Sequence, residues 1–592
     1  MSAPEQRRAR RPRPELAMAA GTALSRLTGL GRVFALSYAL GVTPLADAYN
    51  LANTTPNMIY DLVLGGVLSA TLVPVFVARL QGGGGHADGH ADGSRPDQDG
   101  WRGVSAVVTL CLVALVLVTG LVALGAGPLM RGYTLAAPSG TAGTEYAVAV
   151  RLLRLFAPQV LLYGVIALAT AVLNSLRRFA LAAFAPIANN LVLIAVLLFL
   201  SDTLRHSSTG RALADPTLLL VLGLGTTAGV AAQTLTVLVG LRRSGARLRW
   251  HWAPREPAVR RVAGLSGWTF AMVAANQAAL FAVLLFANSR PGGVSAYTYA
   301  YSFFQVPFGV VAVSITGARQ PGWASDWAAG RVRELRTAVA GGLRLLVLLM
   351  VPIAAVLAAL ADPIVRLLLG HGATSAAGAA LTGQVLTVLA LGLPGFSAYL
   401  YFIRVFQAIQ DLRSAFALYV LNNGLTVLLA LLLYRPAGVQ GVAVAVSVGY
   451  AAAALAAGAV LRRRIGGLPE GSAVRPALTR ALATSLPAAL LAWLTVHAMT
   501  PVAGVRAVLP LLVGLTVVAS ALPVSLGLAA LAPTGFSLGD RLLGGRPLAE
   551  RLWGERLPGE RLPGERLAGA RRSPAQPRRS RRRTRPPRKG SR

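Results

Sequence analysis

The sequence contains little of what a soluble enzyme uses. Only 13% of its 592 residues are charged and 54% are hydrophobic, which leaves too little polar surface to cover a soluble protein of this size. Cys111 is the only cysteine, so an internal disulfide and a cysteine-based zinc site are excluded. There is no Walker-type nucleotide loop, zinc-protease motif or nucleophile elbow. The sequence therefore has no signature for ATP hydrolysis, and we predict no cofactor.

Lysine is also nearly absent. Lys589 is the only one, so almost all of the formal net charge of +35 comes from arginine. In a soluble protein such a charge would suggest nucleic acid. Here the arginines concentrate at the termini and between apolar blocks, which indicates membrane topology and attraction to anionic lipid. We therefore predict membrane lipids, and not nucleic acid, as partners.

The apolar residues fall into blocks of about 20 or more, the length that a bilayer requires of a helix. We predict an all-α, polytopic membrane protein with about 14 spans. The approximate span cores are residues 16–40, 48–79, 103–130, 147–174, 180–201, 216–241, 262–288, 294–318, 337–361, 380–409, 413–434, 438–461, 476–499 and 506–533.

The connectors between spans predict the orientation. If the N-terminus is cytoplasmic, the connectors that fall on the cytoplasmic side are much richer in arginine than those outside. The basic N-terminal stretch is then a cytoplasmic tail before an uncleaved first span, and not a signal peptide. We predict a bacterial cytoplasmic-membrane protein with both termini in the cytoplasm.

Two arginines, Arg26 and Arg32, lie inside the first span, where a charge is costly. On an ideal helix they are about 120° apart. Gly29 and Gly31 lie between them and could bend the helix so that both guanidinium groups face one cavity. The planar guanidinium suits a diphosphate because it donates paired hydrogen bonds and stays charged. The alternatives are snorkelling to the interface or a structural ion pair.

The second block carries two carboxylates, Asp47 near its outer end and Asp61 near its middle. An unpaired carboxylate would be very costly there, so we predict an arginine partner for Asp61 over a protonated carboxyl. Pro56 and the pair Gly65 and Gly66 are candidate hinges.

Several amides also lie at membrane depth, and many such amides are interhelical contacts. Among them we include Gln305, with Asp47 and Asp61, as a candidate cavity or coupling residue.

Two segments are predicted to lack regular structure. Residues 81–100 form a glycine-rich polar loop with His86 and His90, which lack further ligands and predict no metal site. Residues 536–592 contain five-residue repeats and a cationic end. This tail is either a solvated extension on anionic headgroups or a docking segment for cell-wall synthesis proteins.

Several motifs in register resemble the MurJ/MviN lipid-flippase family. They are SRLTGLGRV (25–33), GVTPLADAYNLANTTPNMIYDLVLGGVLSATLVPVF (41–76), AVLNSLRRFALAAFAPIANNLVLI (171–194), VSAYTYAYSFFQVPFGVVAVSI (294–315) and RVFQAIQDLRSA (404–415). The resemblance covers roughly residues 15–535. It implies two helical lobes of the multidrug/oligosaccharidyl-lipid/polysaccharide (MOP) superfamily, similar to multidrug (MATE) exporters.

The family resemblance also implies a function and a site. The implied substrate is lipid II, the undecaprenyl-diphosphate-linked peptidoglycan precursor, moved between leaflets by alternating access. Arg26 and Arg32 match two family arginines of a cationic cavity, and Asp47 matches an acidic position. The chain departs from the family at Tyr60 and Asp61, where members often carry an arginine pair, which suggests an actinobacterial-type variant.

The predicted organisation combines the spans with this resemblance. It comprises a basic N-terminal tail (1–15), an N-terminal lobe of about six helices (16–241), a basic cytoplasmic linker (242–261), a C-terminal lobe of about six helices (262–461), two last helices (462–535) and a disordered basic tail (536–592).

Three alternatives to a lipid II flippase remain open at this point. The chain could be a flippase for another polyprenyl-linked lipid, or a cation-coupled antiporter that uses Asp47 or Asp61. It could also be a non-transporting scaffold that recruits cell-wall enzymes through residues 536–592.

Overall fold

A computed structural model of the chain describes residues 14–65, 72, 75–77, 98–176, 178–257, 259–260, 267–467 and 474–499. Within these ranges every regular element is a helix and no strand occurs. This follows from the apolar blocks, because a helix satisfies its own backbone hydrogen bonds where lipid offers none.

The N-terminal half combines short helices with longer spans. Pro44 opens the second helix, and the Thr43 side chain accepts a hydrogen bond from Ala46 N at 3.2 Å. The helices of this half are α1 (Pro14–Leu40), α2 (Pro44–Tyr60), α3 (Gln98–Leu124), α4 (Ala126–Tyr133), α5 (Ser139–Phe156), α6 (Pro158–Ser175), α7 (Phe179–Arg205), α8 (Thr209–Ala214) and α9 (Pro216–Arg243).

The C-terminal half follows the same pattern. Ser375 and Asp411 each cap a long span with their side chains. The helices are α10 (Gly267–Ala287), α11 (Gly293–Pro307), α12 (Val313–Ala328), α13 (Val332–Ala359), α14 (Ala361–Leu369), α15 (Ala376–Ala408), α16 (Leu412–Ile465) and α17 (Val474–Met499).

The helical path is interrupted or bent at four identifiable positions. A π-helical turn, Asp61–Gly65, follows α2, and another, Phe308–Ala312, joins α11 to α12. Ala157 separates α5 from α6 before a proline. Gly438 divides α16 into two helices, with φ 58° and ψ −140°, a conformation that favours glycine.

The helices pack into two lobes within one unit, Met1–Leu531. In the N-terminal lobe α1 packs along α7, and in the C-terminal lobe α15 packs along α16. The lobes meet where α2 contacts α11 and where the π-helical turn Asp61–Gly65 contacts α10. Candidate functional residues from α1 and α2 therefore lie at the boundary between the lobes.

The structure confirms the all-helical membrane fold. Ten helices in the described part of the chain are long and apolar enough to cross a membrane, and one of them is the pair that meets at Gly438. The total of about 14 spans stays a prediction, because the span at 506–533 lies outside the described residues. The short helices α4, α8 and α14 were not predicted, since each is too short to show a clear periodic pattern.

Candidate functional site

The carboxylate of Asp47 joins the two lobes at one end. Asp47 is fully buried in α2, and its Oδ2 accepts a hydrogen bond from the Gly292 backbone N–H at 2.6 Å. Its Oδ1 accepts two more, from Ser295 N at 2.8 Å and from Ser295 Oγ at 2.7 Å. These N–H groups belong to the start of α11, where the helix dipole favours a negative charge. Asp47 thus caps a helix of the other lobe, and we call Asp47, Gly292 and Ser295 the Asp47 seam.

Near the Asp47 seam, the C-terminal end of α1 also forms hydrogen bonds with residues of the C-terminal lobe that precede α15. Thr374 Oγ1 donates to the Ser37 carbonyl at 2.8 Å, and the two hydroxyl oxygens are 2.7 Å apart. The Ala373 N–H donates to the Tyr38 carbonyl, also at 2.8 Å. The side chains of Ser37 and Thr374 are buried. Separating the lobes here would therefore leave several polar atoms without hydrogen-bond partners.

Glycine allows the close approach of the two backbones at the seam. Gly292 has φ 78°, and a Cβ built on it would lie 2.7 Å from the Val42 carbonyl oxygen. Gly41 has φ 68°, and a Cβ there would overlap the Ala373 carbonyl. Larger residues at these positions would be strained by the left-handed backbone and would also push the lobes apart.

We expect Asp47→Asn to loosen the seam without unfolding the protein. The amide keeps the shape, but it has one acceptor oxygen in place of two and no charge. A hydrogen bond to a charged group contributes about 1.5–3 kcal/mol, so opening should become roughly 10-fold more frequent or more. The measurement is the reaction rate of Val42→Cys with a water-soluble maleimide, in purified protein that also carries Cys111→Ser. Val42 packs directly against Gly292.

Asp326→Asn is the matched control, because Asp326 pairs with Arg331 near the end of α12, at the opposite end of the α11–α12 segment from Gly292 and Ser295. It should leave the labelling rate of Val42→Cys unchanged. An equal rate in the parent and in Asp47→Asn would contradict the role of Asp47 as an inter-lobe contact.

Arg26 lies farther from the seam, where α1 faces the other lobe. Fourteen helical residues separate it from Leu40, a rise of about 21 Å. Its side chain is exposed, and its guanidinium packs directly on Gly309 in the second π-helical turn. Asn190 holds the neighbouring backbone on α7, since its Nδ2 donates to Ser25 O at 3.3 Å and to Thr28 Oγ1 at 3.0 Å. The first lobe thereby presents Arg26 to the second.

Arg32 lies between Arg26 and the seam and is partly buried. Its Nε is buried and has no hydrogen-bond acceptor among the residues that the structure describes. The phenols of Tyr49 and Tyr163 are within electrostatic range of its guanidinium. A desolvated guanidinium N–H without an acceptor is available to an anion that enters between the lobes.

The helix between these two arginines is continuous. α1 remains α-helical through Gly29 and Gly31, so Arg26 and Arg32 point in directions about 120° apart. The bend predicted at this glycine pair is absent in this conformation, and its role as a hinge stays a prediction. The same holds for Pro56, which lies inside α2, five residues before the π-helical turn begins.

Asp61 begins that π-helical turn and faces α10 of the other lobe. Gln277 Nε2 donates to Asp61 Oδ2 at 3.2 Å, so the partner within the described residues is an amide and not the predicted arginine. A cavity of about 280 Å³ opens beside this pair. We call it the Asp61 cavity; its lining is Asp61, Met272, Val273, Asn276, Gln277, Gln407 and Tyr419.

Of the remaining predicted residues, Gln305 is exposed on α11, and Gly65 ends the π-helical turn after α2. Gly66, His86 and His90 lie outside the described residues, as does the tail 536–592. The described part of the chain contains no cluster of residues that could hold a metal ion.

Sequence reasoning missed two residues of this region. Gly309 and Tyr163 lie in apolar runs with no distinguishing pattern, and only the fold brings them to Arg26 and Arg32. The adjacent amides Asn276 and Gln277 did carry a signal, because two amides in succession are unusual in an apolar helix.

Two helical lobes that close at one end on a buried carboxylate, with arginines and a further carboxylate at their boundary, define a polytopic helical membrane protein with a candidate site between its lobes. A family model described as "Lipid II flippase MurJ" matches residues 36–514. The chain therefore belongs to the MurJ family of lipid II flippases. Asp47, Asp61 and Gln305 lie inside the matched range, and Arg26 and Arg32 precede it.

Individual relatives agree with this family assignment. The chain is 28% identical over 423 residues to a probable lipid II flippase MurJ of Rhizobium meliloti (strain 1021), covering 71% of this chain and 75% of the relative. It is 27% identical over 394 residues to the lipid II flippase MurJ of Burkholderia cenocepacia, covering 66% and 72%.

Solved structures show the same fold. A lipid II flippase MurJ in an inward closed conformation superimposes with a TM-score of 0.68 and 16% identity, covering 87% of this chain and 98% of that one. An inward-facing MATE-family transporter of the MOP superfamily follows with a TM-score of 0.60 and 15% identity, covering 75% and 98%.

Proposed function

We propose that this chain moves lipid II from the inner to the outer leaflet of the cytoplasmic membrane by alternating access. The names of its family and relatives support this substrate. The observation that carries the proposal is the position of Arg32, whose buried Nε–H has no acceptor among the described residues. The packing of Arg26 on Gly309 of the other lobe also supports the proposal, because a ligand that enters between the lobes would pass this guanidinium.

The physical task is to carry a charged headgroup across about 30 Å of hydrocarbon. An isolated anion is extremely costly in such a medium, so fixed cations must replace its hydration. Arg26 and Arg32 would bind the diphosphate through charge-assisted hydrogen bonds. The polyprenyl chain would stay in the bilayer between the lobes, because its transfer requires no polar partner.

The sides of the membrane follow from the arginines at the helix ends. α9 ends in Arg242 and Arg243, and α16 ends in Arg462, Arg463 and Arg464, all on exposed positions. The positive-inside rule assigns these ends to the cytoplasm and the Asp47 seam to the outer side. In this assignment the conformation described here is closed to the outside, and both termini are cytoplasmic.

Purified full-length chain in liposomes should translocate fluorescently labelled lipid II, detected as quenching of label that reaches the outer leaflet. The same chain should restore growth to cells depleted of their own flippase. A variant that lacks residues 536–592 is the control. It should still translocate lipid II, because the helices of both lobes precede residue 536. Growth rescue that needs the tail, without lipid II translocation in liposomes, would instead identify a scaffold for cell-wall enzymes.

A further inference from the structure

The Asp61 cavity lies between the lobes at the depth of Arg26. Asp61 follows Asp47 by fourteen residues of α2, a rise of about 21 Å from the seam. Arg26 is the same number of residues from the end of α1, which runs antiparallel to α2, so both groups are on the side away from the seam. The cavity contains residues of both lobes, since Asp61 comes from the first and Gln277, Gln407 and Tyr419 come from the second.

The cavity presents acceptor oxygens that its own residues leave without a donor. Gln277 uses its Nε2 to donate to Asp61, while its Oε1 is buried and has no hydrogen-bond partner among the described residues. Gln277 is 9% exposed, so bulk water does not satisfy this oxygen freely. Asn276 is exposed into the same region and adds a further amide oxygen. A ligand with hydrogen-bond donors would satisfy these atoms, and an apolar ligand would not.

The charge of the cavity selects against anions. Asp61 is the one ionisable carboxylate of its lining, and no arginine or lysine contributes to that lining. Outside the lining, Arg404 contacts one of the lining residues, since its Nη1 donates to Gln407 Oε1 at 3.3 Å. This hydrogen bond occupies the acceptor oxygen of Gln407. The formal charge beside Gln277 is still the negative charge of Asp61. A phosphate would therefore be repelled at Asp61, whereas a protonated amine would be attracted.

The charges of Arg32 and Asp61 both lie near the side chain of Tyr163. The Tyr163 phenol is within electrostatic range of both groups, and its ring lies 5.9 Å from that of Tyr60, the residue before Asp61. A ligand in this region therefore meets both a positive group and a negative group near Tyr163. This arrangement fits a headgroup that carries a diphosphate at one end and a cationic donor farther along.

We infer that the Asp61 cavity is a second recognition site for the lipid headgroup and takes a primary ammonium group. The inference rests on the proposed function, because lipid II is a peptidoglycan precursor whose peptide carries amide N–H groups and, where it contains a diamino acid, such an ammonium group. Asp61 accepts from the ammonium by a charge-assisted hydrogen bond, and Gln277 Oε1 accepts a second hydrogen bond. Binding there selects lipids by their peptide, while Arg26 and Arg32 hold the diphosphate common to all of them.

The test compares two ligands in each protein preparation. Full-length chain is titrated with lipid II that has a free side-chain amine and with the same lipid after acetylation of that amine. Wild-type protein should bind the free amine roughly 10-fold or more tightly than the acetylated form, the effect of one hydrogen bond between charged groups. In Asp61→Asn this ratio should fall to about one, because asparagine keeps the shape and the contact with Gln277 but loses the charge. Asp202→Asn should keep the wild-type ratio, because Asp202 lies in an exposed ion pair with Arg205 near the end of α7 and does not line the cavity.

Each remaining outcome has a distinct meaning. Equal affinities of the wild type for both lipids, or an unchanged ratio in Asp61→Asn, would overturn the inference while lipid II remains the substrate. If the wild type binds neither lipid more tightly than a neutral phospholipid of equal chain length, the proposed function itself fails. If Asp61→Asn instead abolishes a dependence of transport on a sodium or proton gradient with no effect of acetylation, Asp61 is a cation-coupling group and the inference is wrong.

Discussion

Arg32→Ala should abolish lipid II translocation in liposomes while leaving the protein folded. Two charge-assisted hydrogen bonds to a diphosphate, each contributing about 1.5–3 kcal/mol, would be lost, so the rate should fall at least about 100-fold. Folding should survive, because the Nε of Arg32 has no acceptor among the described residues and its removal breaks no hydrogen bond there. The measurement is the initial rate of translocation, normalised to the amount of protein inserted.

One further variant separates charge from geometry in this experiment, and a second serves as the control. Arg32→Lys keeps the positive charge but loses the planar fork, so it should restore only part of the rate. Arg131→Ala removes an arginine that packs on Tyr146 at the exposed end of α4, and it should leave the rate unchanged. Wild-type translocation by Arg32→Ala at normal abundance would remove Arg32 from the mechanism.

Arg32 also illustrates how much of the site the sequence predicted. Charges inside a hydrocarbon span are costly wherever the helix lies, so Arg26 and Arg32 could be identified without knowing their neighbours. The continuity of the helix between them could not, because helix propensity at Gly29 and Gly31 is weak compared with the packing of α1 along α7. Composition therefore identified the residues, and tertiary packing determined where they point.

The two carboxylates also show which features of the site the sequence predicts and which depend on the fold. Asp61 was predicted to need a partner, since a buried carboxylate without one is very costly, whereas no partner was predicted for Asp47. The partners themselves, Gly292 with Ser295 and Gln277, lie more than 200 residues away along the chain, and nothing local specifies them. A helix N-terminus is also hard to anticipate as a partner, because its N–H groups are backbone atoms that any sequence supplies.

Among interhelical amides, the sequence could not separate contact residues from cavity residues. Asn190 holds α1 to α7, whereas Asn276 and Gln277 line the Asp61 cavity. All three are amides in apolar helices, and only their direction distinguishes them. That direction depends on the rotation of each helix in its lobe, which in turn depends on the small residues at the helix contacts.

Gly309→Ala should reduce transport strongly while leaving stability unchanged or slightly higher. A methyl group on Gly309 would overlap the guanidinium of Arg26, and the flexible arginine must move away. Alanine in place of glycine within a helix otherwise stabilises by roughly 0.5–1 kcal/mol. We therefore expect a loss of translocation that approaches that of Arg26→Ala, with no decrease in the thermal unfolding temperature. Both are measured on the same purified protein.

Gly317→Ala is the matched control, because Gly317 lies in the next helix, α12, with no atom within 4 Å of its Cβ position. It should show the same small stabilisation and normal transport. The double variant Arg26→Ala with Gly309→Ala decides the mechanism, since two changes that act through one group are not additive. If Gly309 matters only because it leaves space for the Arg26 guanidinium, the double variant should transport no less than Arg26→Ala alone. A further loss would show that the π-helical turn acts independently of Arg26, for example by bending during the transport cycle.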